Sequence, residues 1–200
     1  MSPRNIEQNE QMRKESLDKI TNAALKIFAE YGYHGATLKK ITRETGLSYG
    51  LVYHYFPSKE KIFLYLVDIA FSYSKSVISN VLDKTGSAWE KIMTLSEVLA
   101  SELQNKKISY YFIITQQAMT QVKDIPGIFD FISKRIDHYE KFDELIKQAQ
   151  KSGDIIDGDP GILSTAYLAL FNGMVLMMQH QDYLKNKVSP EIFNNLLRKK

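Results

Sequence analysis

Apolar residues recur three and four positions apart along almost the whole chain, without strict alternation, and this spacing predicts an all-α fold. From Arg13, the residues Leu17, Ile20, Ala24, Ile27, Phe28 and Tyr31 follow one helical face, and Gly32 is placed to stop it. Thr37 can cap a short helix over 38–45 that Gly46 ends. Ser48 can cap another over 49–55, closed by Pro57. Ser58 opens a long helix with Ile62, Phe63, Leu66, Ile69, Ala70, Tyr73, Val77 and Val81 as its stripe, running towards Gly86. Ser87 and Glu90 have capping-box spacing and open a helix to about Asn105; another follows over about 108–121. Pro126 and Gly127 precede a single helix over about 128–151, which Gly153 can terminate. Asp159-Pro160 and Ser189-Pro190-Glu191 each read as a cap and a first turn, giving about nine helices in all. The expected division is a three-helix N-terminal unit over 13–60 and a helical body over 61–200.

Composition narrows the classes. Hydrophobic residues at 44% and charged residues at 24% suit a globular chain rather than a disordered one. Cysteine is absent, so disulfides, thiolate metal sites and thiol nucleophiles are excluded. The N-terminus is polar and charged, without the apolar stretch of a secretory signal, and points to a cytoplasmic protein. Residues 160–181 carry no charge and are long enough to cross a bilayer, but their Ser164, Thr165, Asn172, Gln179, His180 and Gln181 suit a helix buried against protein better than one in lipid. No membrane partner is expected.

The net charge of +3 is too even to announce a nucleic-acid partner in bulk. Its placement is more informative. Residues 37–61 hold five basic residues against two acidic ones, which equals the charge of the entire chain. Within this segment Leu38, Ile41, Leu47, Val52 and Phe56 can close two short helices, while Lys39, Lys40, Arg43, Ser48, Tyr49, Tyr53, His54 and Lys59 point elsewhere. That arrangement is a helix-turn-helix over about 37–56, in which basic and hydroxyl groups position phosphates and the second helix reads base edges. The plainer alternative is an αα-hairpin with surface tyrosines and lysines.

Residues 13–65 resemble the DNA-binding domain of TetR-family transcriptional regulators. The resemblance rests on Ala23-Ala24, Phe28, Gly32-Tyr33, Thr37, Ile41, Gly46-Leu47-Ser48 and above all the run from Gly50 to Glu60. It implies that Thr37, Lys39, Ser48, Tyr49, Gly50, Tyr53 and His54 face double-stranded operator DNA, and that Lys59 contacts a phosphate. Tyr49 stands where relatives often carry Lys or Arg, so readout here is expected to lean on tyrosine, thymine methyls and DNA shape. Tyr55 and Phe56 are expected to anchor the helix.

The same resemblance implies a ligand-binding and dimerisation body. Trp89, Tyr111, Phe112, Met119, Tyr139, Phe142, Phe171 and Met174 are candidate pocket residues for a small hydrophobic or aromatic effector, since little fixed charge falls on these faces. For any one of them, ordinary core packing is the competing reading. Helices over about 160–182 and 190–199 would pair with a second copy as a homodimer. The four histidines, at 34, 54, 138 and 180, lack metal-site spacing, and neither a metal nor a cofactor is expected. Asp137, His138, Glu140 and Glu144 are interleaved with Lys134, Arg135, Lys141 and Lys147, which reads as a salt-bridged surface. Catalytic motifs are lacking. The expected function is a ligand-responsive repressor released from a palindromic operator. The rival readings are a hydrophobic-molecule carrier and a small helical enzyme.

Overall fold

The computed structural model describes residues 3–120, 125–134, 138–178 and 187–199, with ten helices among them. They are α1 (Pro3–Gly35), α2 (Leu38–Thr45), α3 (Tyr49–Tyr55), α4 (Lys59–Leu82), α5 (Ala88–Leu103), α6 (Lys106–Thr120), α7 (Ile128–Ser133), α8 (His138–Lys151), α9 (Pro160–Met178) and α10 (Pro190–Leu197). Regular strands are absent among the described residues, where the one β-type contact is an isolated antiparallel bridge between Ile155 and Arg198.

The capping signals act where they stand in the chain. Thr37, Ser48 and Ser58 each accept a hydrogen bond from the backbone N–H three residues on, and Ser87 with Glu90 forms a reciprocal capping box. Asp159 accepts from Ile162 N–H at 2.9 Å, whereas Ser189 makes no side-chain cap.

Two expectations need correction. α1 begins at Pro3 rather than Arg13: residues 6–15 are all exposed but rich in good helix formers, and Pro3 sits where a missing N–H costs nothing. Gly32 does interrupt this helix, at φ 72°, and residues 33–35 continue as a short turn beyond the break. The single helix expected over 128–151 is two, α7 and α8, so the count is ten rather than nine. The apolar pattern continues in phase across the break. At the end of α7 the Ser133 hydroxyl donates to Asp130 O (3.2 Å), offering the backbone an alternative to helix.

α1, α2 and α3 enclose Ile20, Ala24, Phe28, Ile41 and Val52, and Phe63 from α4 closes this cluster against Phe28 and Tyr33. Phe56 is buried and Tyr55 donates to Arg13 O at 3.2 Å, so both hold α3 in place. In the body, α4, α5, α6, α8, α9 and α10 pack around Phe142, Tyr167, Phe171 and Phe193. Within this apolar core Ser96 of α5 lies 2.6 Å from the Tyr167 hydroxyl of α9 and donates to Asn194 of α10 at 2.7 Å. Burial pushes Tyr167 well above the usual tyrosine range, keeping its hydroxyl protonated in this cluster.

α9 is less covered than its composition suggests. Ile162 is 69% exposed, Leu176 and Met177 about four turns further along the helix are exposed too, and so are Ile192 and Leu196 of α10. The expectation of a helix buried on most sides is therefore met only in part within one chain. α4 and α9 are both long and apolar enough to cross a membrane by length and composition alone.

Candidate functional site

α2 and α3 are short helices held at both ends. Gly46 separates them in the left-handed conformation that a tight turn between helices demands, at φ 68°. Val52 points inward, so Tyr49, Gly50, Tyr53 and His54 are left together on the outer face of α3, all exposed. The Tyr49 and Tyr53 rings stack at 6.3 Å with planes 20° apart, each about half exposed (54% and 52%). They form a two-ring ridge one helical turn long. Gly50, between them on the helix, has open space where a Cβ would stand.

Thr37, Lys39 and Ser48 are exposed as well, although the hydroxyls of Thr37 and Ser48 already serve as caps. Lys40 donates to Gly35 O at 2.8 Å and lies over the Tyr31 ring. Glu44 is engaged by Lys26 of α1 at 2.6 Å, a contact that raises the lysine pKa through that hydrogen bond and its charge. With Glu44 thus paired, α2 presents its basic side chains with little opposing charge.

Lys59 is placed differently from the other candidates. Its ammonium donates to Tyr33 O at 2.9 Å and Ala36 O at 3.3 Å and lies 4.4 Å from the Tyr33 ring centroid. It is half-buried, and it ties the start of α4 to the corner between α1 and α2. The resemblance implies a phosphate-facing lysine; what the structure shows is a tie within the N-terminal unit.

The body holds two adjoining cavities that share Tyr73, Ser74, Phe112 and Asn172. The larger lies among α4, α5, α6 and α9 and leaves about 40 Å³ for the centres of water-sized spheres; its neighbour leaves about 20 Å³. Of the candidate pocket residues, Tyr111, Phe112 and Met119 line the smaller cavity, and Phe112 and Phe171 the larger, meeting edge-to-face at 4.4 Å. Phe142 belongs to the core, fully buried against Tyr167, and Trp89 and Met174 pack on the core and line neither cavity. The side chain of Tyr139 lies outside the described residues.

Sequence reasoning missed Glu102. It lines the larger cavity with Leu95 and Leu99 of the same helix, accepts a 2.6 Å hydrogen bond from Tyr73 through Oε1, and has a buried Oε2 with no partner. An orphaned acceptor of this kind costs about 1–3 kcal/mol. The spacing of Leu95, Leu99 and Glu102 at i, i+4 and i+7 was the available signal. Burial and the hydrogen bond to Glu102 push Tyr73 up to about 12. Glu102 is a charged group on a wall expected to carry little fixed charge.

α6 joins the cavities to the N-terminal unit. One face supplies Tyr111, Phe112, Thr115, Gln116 and Met119 to the cavity wall. From its other side Tyr110 donates to Glu30 at 2.7 Å and Gln117 donates to Phe28 O at 2.9 Å, both on α1. No cluster of His, Asp or Glu among the described residues could hold a metal ion.

Residues 20–66 match the family described as bacterial regulatory proteins, tetR family. The transcriptional repressor AcnR of Corynebacterium efficiens is 29% identical over 133 residues, covering 66% of this chain and 62% of that protein. The match thus spans somewhat under two thirds of AcnR's length. The TetR-family regulator PfmR from Thermus thermophilus has the same fold, with a TM-score of 0.74 and 20% identity over 89% of this chain and 96% of that one. A Saccharomonospora viridis chain described as a transcriptional regulator in complex with choline aligns with a TM-score of 0.68 and 23% identity over 94% of this chain and 100% of that one. Residues 20–66 thus match the tetR family of bacterial regulatory proteins, and the all-α fold around them is the fold of the solved regulators named above.

Proposed function

We propose that the protein is a cytoplasmic, homodimeric repressor that binds a palindromic operator and leaves it when a small molecule enters the α4–α5–α6–α9 cavity. The observation that carries this reading is the outer face of α3, where Tyr49, Gly50, Tyr53 and His54 stand exposed on a helix locked from behind by Val52, Tyr55 and Phe56. A rigid helix of two turns with an exposed aromatic ridge fits a major groove. Its tyrosines suit thymine methyls and base edges, Gly50 admits close approach, and Lys39 and Thr37 flank it for phosphates. Lys59 would serve from behind, holding the α1–α2 corner and lending a remaining N–H to the backbone.

Dimerisation through α9 and α10 explains why Ile162, Leu176, Met177, Ile192 and Leu196 are left exposed on adjacent helices. Two-fold symmetry then sets two α3 helices against successive major grooves, about 34–36 Å apart on B-DNA. A ligand shifts this equilibrium only by its differential affinity for the two spacings. α4 passes from the DNA-binding unit into the cavity wall, and α6 grips α1 while lining the same cavity, so both can transmit the difference. A hydrophobic-molecule carrier would use the cavity but gives α2 and α3 no role.

Selection of bound fragments from a random duplex library tests the reading. The full chain is expected to enrich an inverted repeat with half-sites one helical turn apart. Enrichment of no repeat would overturn it.

A further inference from the structure

We propose that the effector carries a cationic nitrogen, recognised by Glu102 on the wall of the α4–α5–α6–α9 cavity; the inference rests on that cavity being the effector site. Among the described residues, Glu102 is the one charged side chain lining either of the two cavities. Tyr73 fixes its carboxylate by donating to Oε1, which leaves Oε2 buried without a partner. Ionised carboxylate oxygens are acceptors only, so what is missing here is a donor, and an ammonium supplies a donor together with opposite charge.

The rest of the lining suits the remainder of such a molecule. Phe112 and Phe171 meet edge-to-face at 4.4 Å, with Leu95, Leu99 and Leu168 beside them. Apolar and aromatic walls take a hydrocarbon body, and ring faces also favour a cation near the carboxylate. The effector class is therefore an amphiphile with an apolar or aromatic body and a basic nitrogen, rather than a neutral lipophile or a carboxylic acid. A neutral alcohol could reach Oε2, but without the charge term.

The test compares three probes of nearly equal shape, phenylbutylammonium, phenylbutanol and phenylbutyrate, by isothermal titration on the full-length chain. The ammonium is expected to bind about tenfold or more tightly than the alcohol, and the carboxylate weakest of all. In Glu102→Gln the preference for the ammonium over the alcohol should disappear. Equal or tighter binding of the alcohol or the carboxylate, an unchanged preference in Glu102→Gln, or binding of none of the three overturns the proposal. The ranking in the unmodified protein needs no variant to fold. Operator binding by the same protein without any probe separates the two readings: a chain that selects its palindrome but prefers the alcohol refutes the cationic effector alone, and one that selects no palindrome refutes the regulator.

Discussion

Lys59 directs two of its three N–H bonds at the carbonyls of Tyr33 and Ala36, so truncating it removes a structural tie as well as a charge. Lys59→Ala is expected to lower stability by about 1–2 kcal/mol in chemical denaturation and to weaken binding to all DNA sequences. Lys39→Ala, at an exposed position of α2, should leave stability unchanged, weaken operator and random DNA alike, and reduce the salt slope by about 1. Tyr53→Ala should instead erode the preference for operator over random duplex. Fluorescence anisotropy across salt concentrations measures all three, and equal losses on both DNAs for Tyr53→Ala would refute its reading role. What the sequence made visible at this scale was whatever acts within a turn of helix. Thr37, Ser48, Ser58 and Ser87 each cap a backbone group three residues away, so composition and order suffice to find them. The partners of Lys59 and Glu102 lie 23–29 residues distant, and only packing brings them together.

Among the elements, α6 has two duties on two faces, and they can be separated by mutation. Gln117→Ala and Tyr110→Phe remove its hydrogen bonds to Phe28 O and Glu30 of α1 without touching the cavity lining. Operator affinity without effector should be largely kept, while the loss of affinity caused by effector should shrink; a gel-shift titration in the presence and absence of effector reads both. An undiminished response would place the coupling in α4 alone. Tyr110 also makes a pH prediction. Burial and its hydrogen bond to Glu30 push its pKa up to about 12 from an ordinary value of 10.0. A phenol whose folded pKa is raised stabilises the fold fully below 10.0, and that contribution is lost as pH climbs to about 12, because the unfolded chain releases the proton first. Thermal melts across this range should show a smaller alkaline decline for Tyr110→Phe. The break between α7 and α8 shows the opposite limit of sequence reading, because the apolar period continues across it and nothing in the pattern marks the stop.

For the whole molecule, the exposed apolar face of α9 and α10 is the proposed surface of assembly. Ile162→Glu combined with Leu176→Glu should convert a dimer into a monomer in light scattering and abolish tight operator binding while leaving helicity intact. A dimer that survives both changes would put the interface elsewhere. The Ser96, Tyr167 and Asn194 cluster bears on this assembly too. A hydroxyl in hydrocarbon tolerates a misfit of only a few tenths of an ångström before its partner is orphaned, so the three groups act as a vernier between α5 and the two outer helices. α9 and α10 cannot slide a turn along α5 without losing every division of that scale. In the proposed symmetric pair, the distance between the two reading heads would be calibrated by these three side chains far from any base, and altered operator spacing in a descendant sequence would be traced first to them.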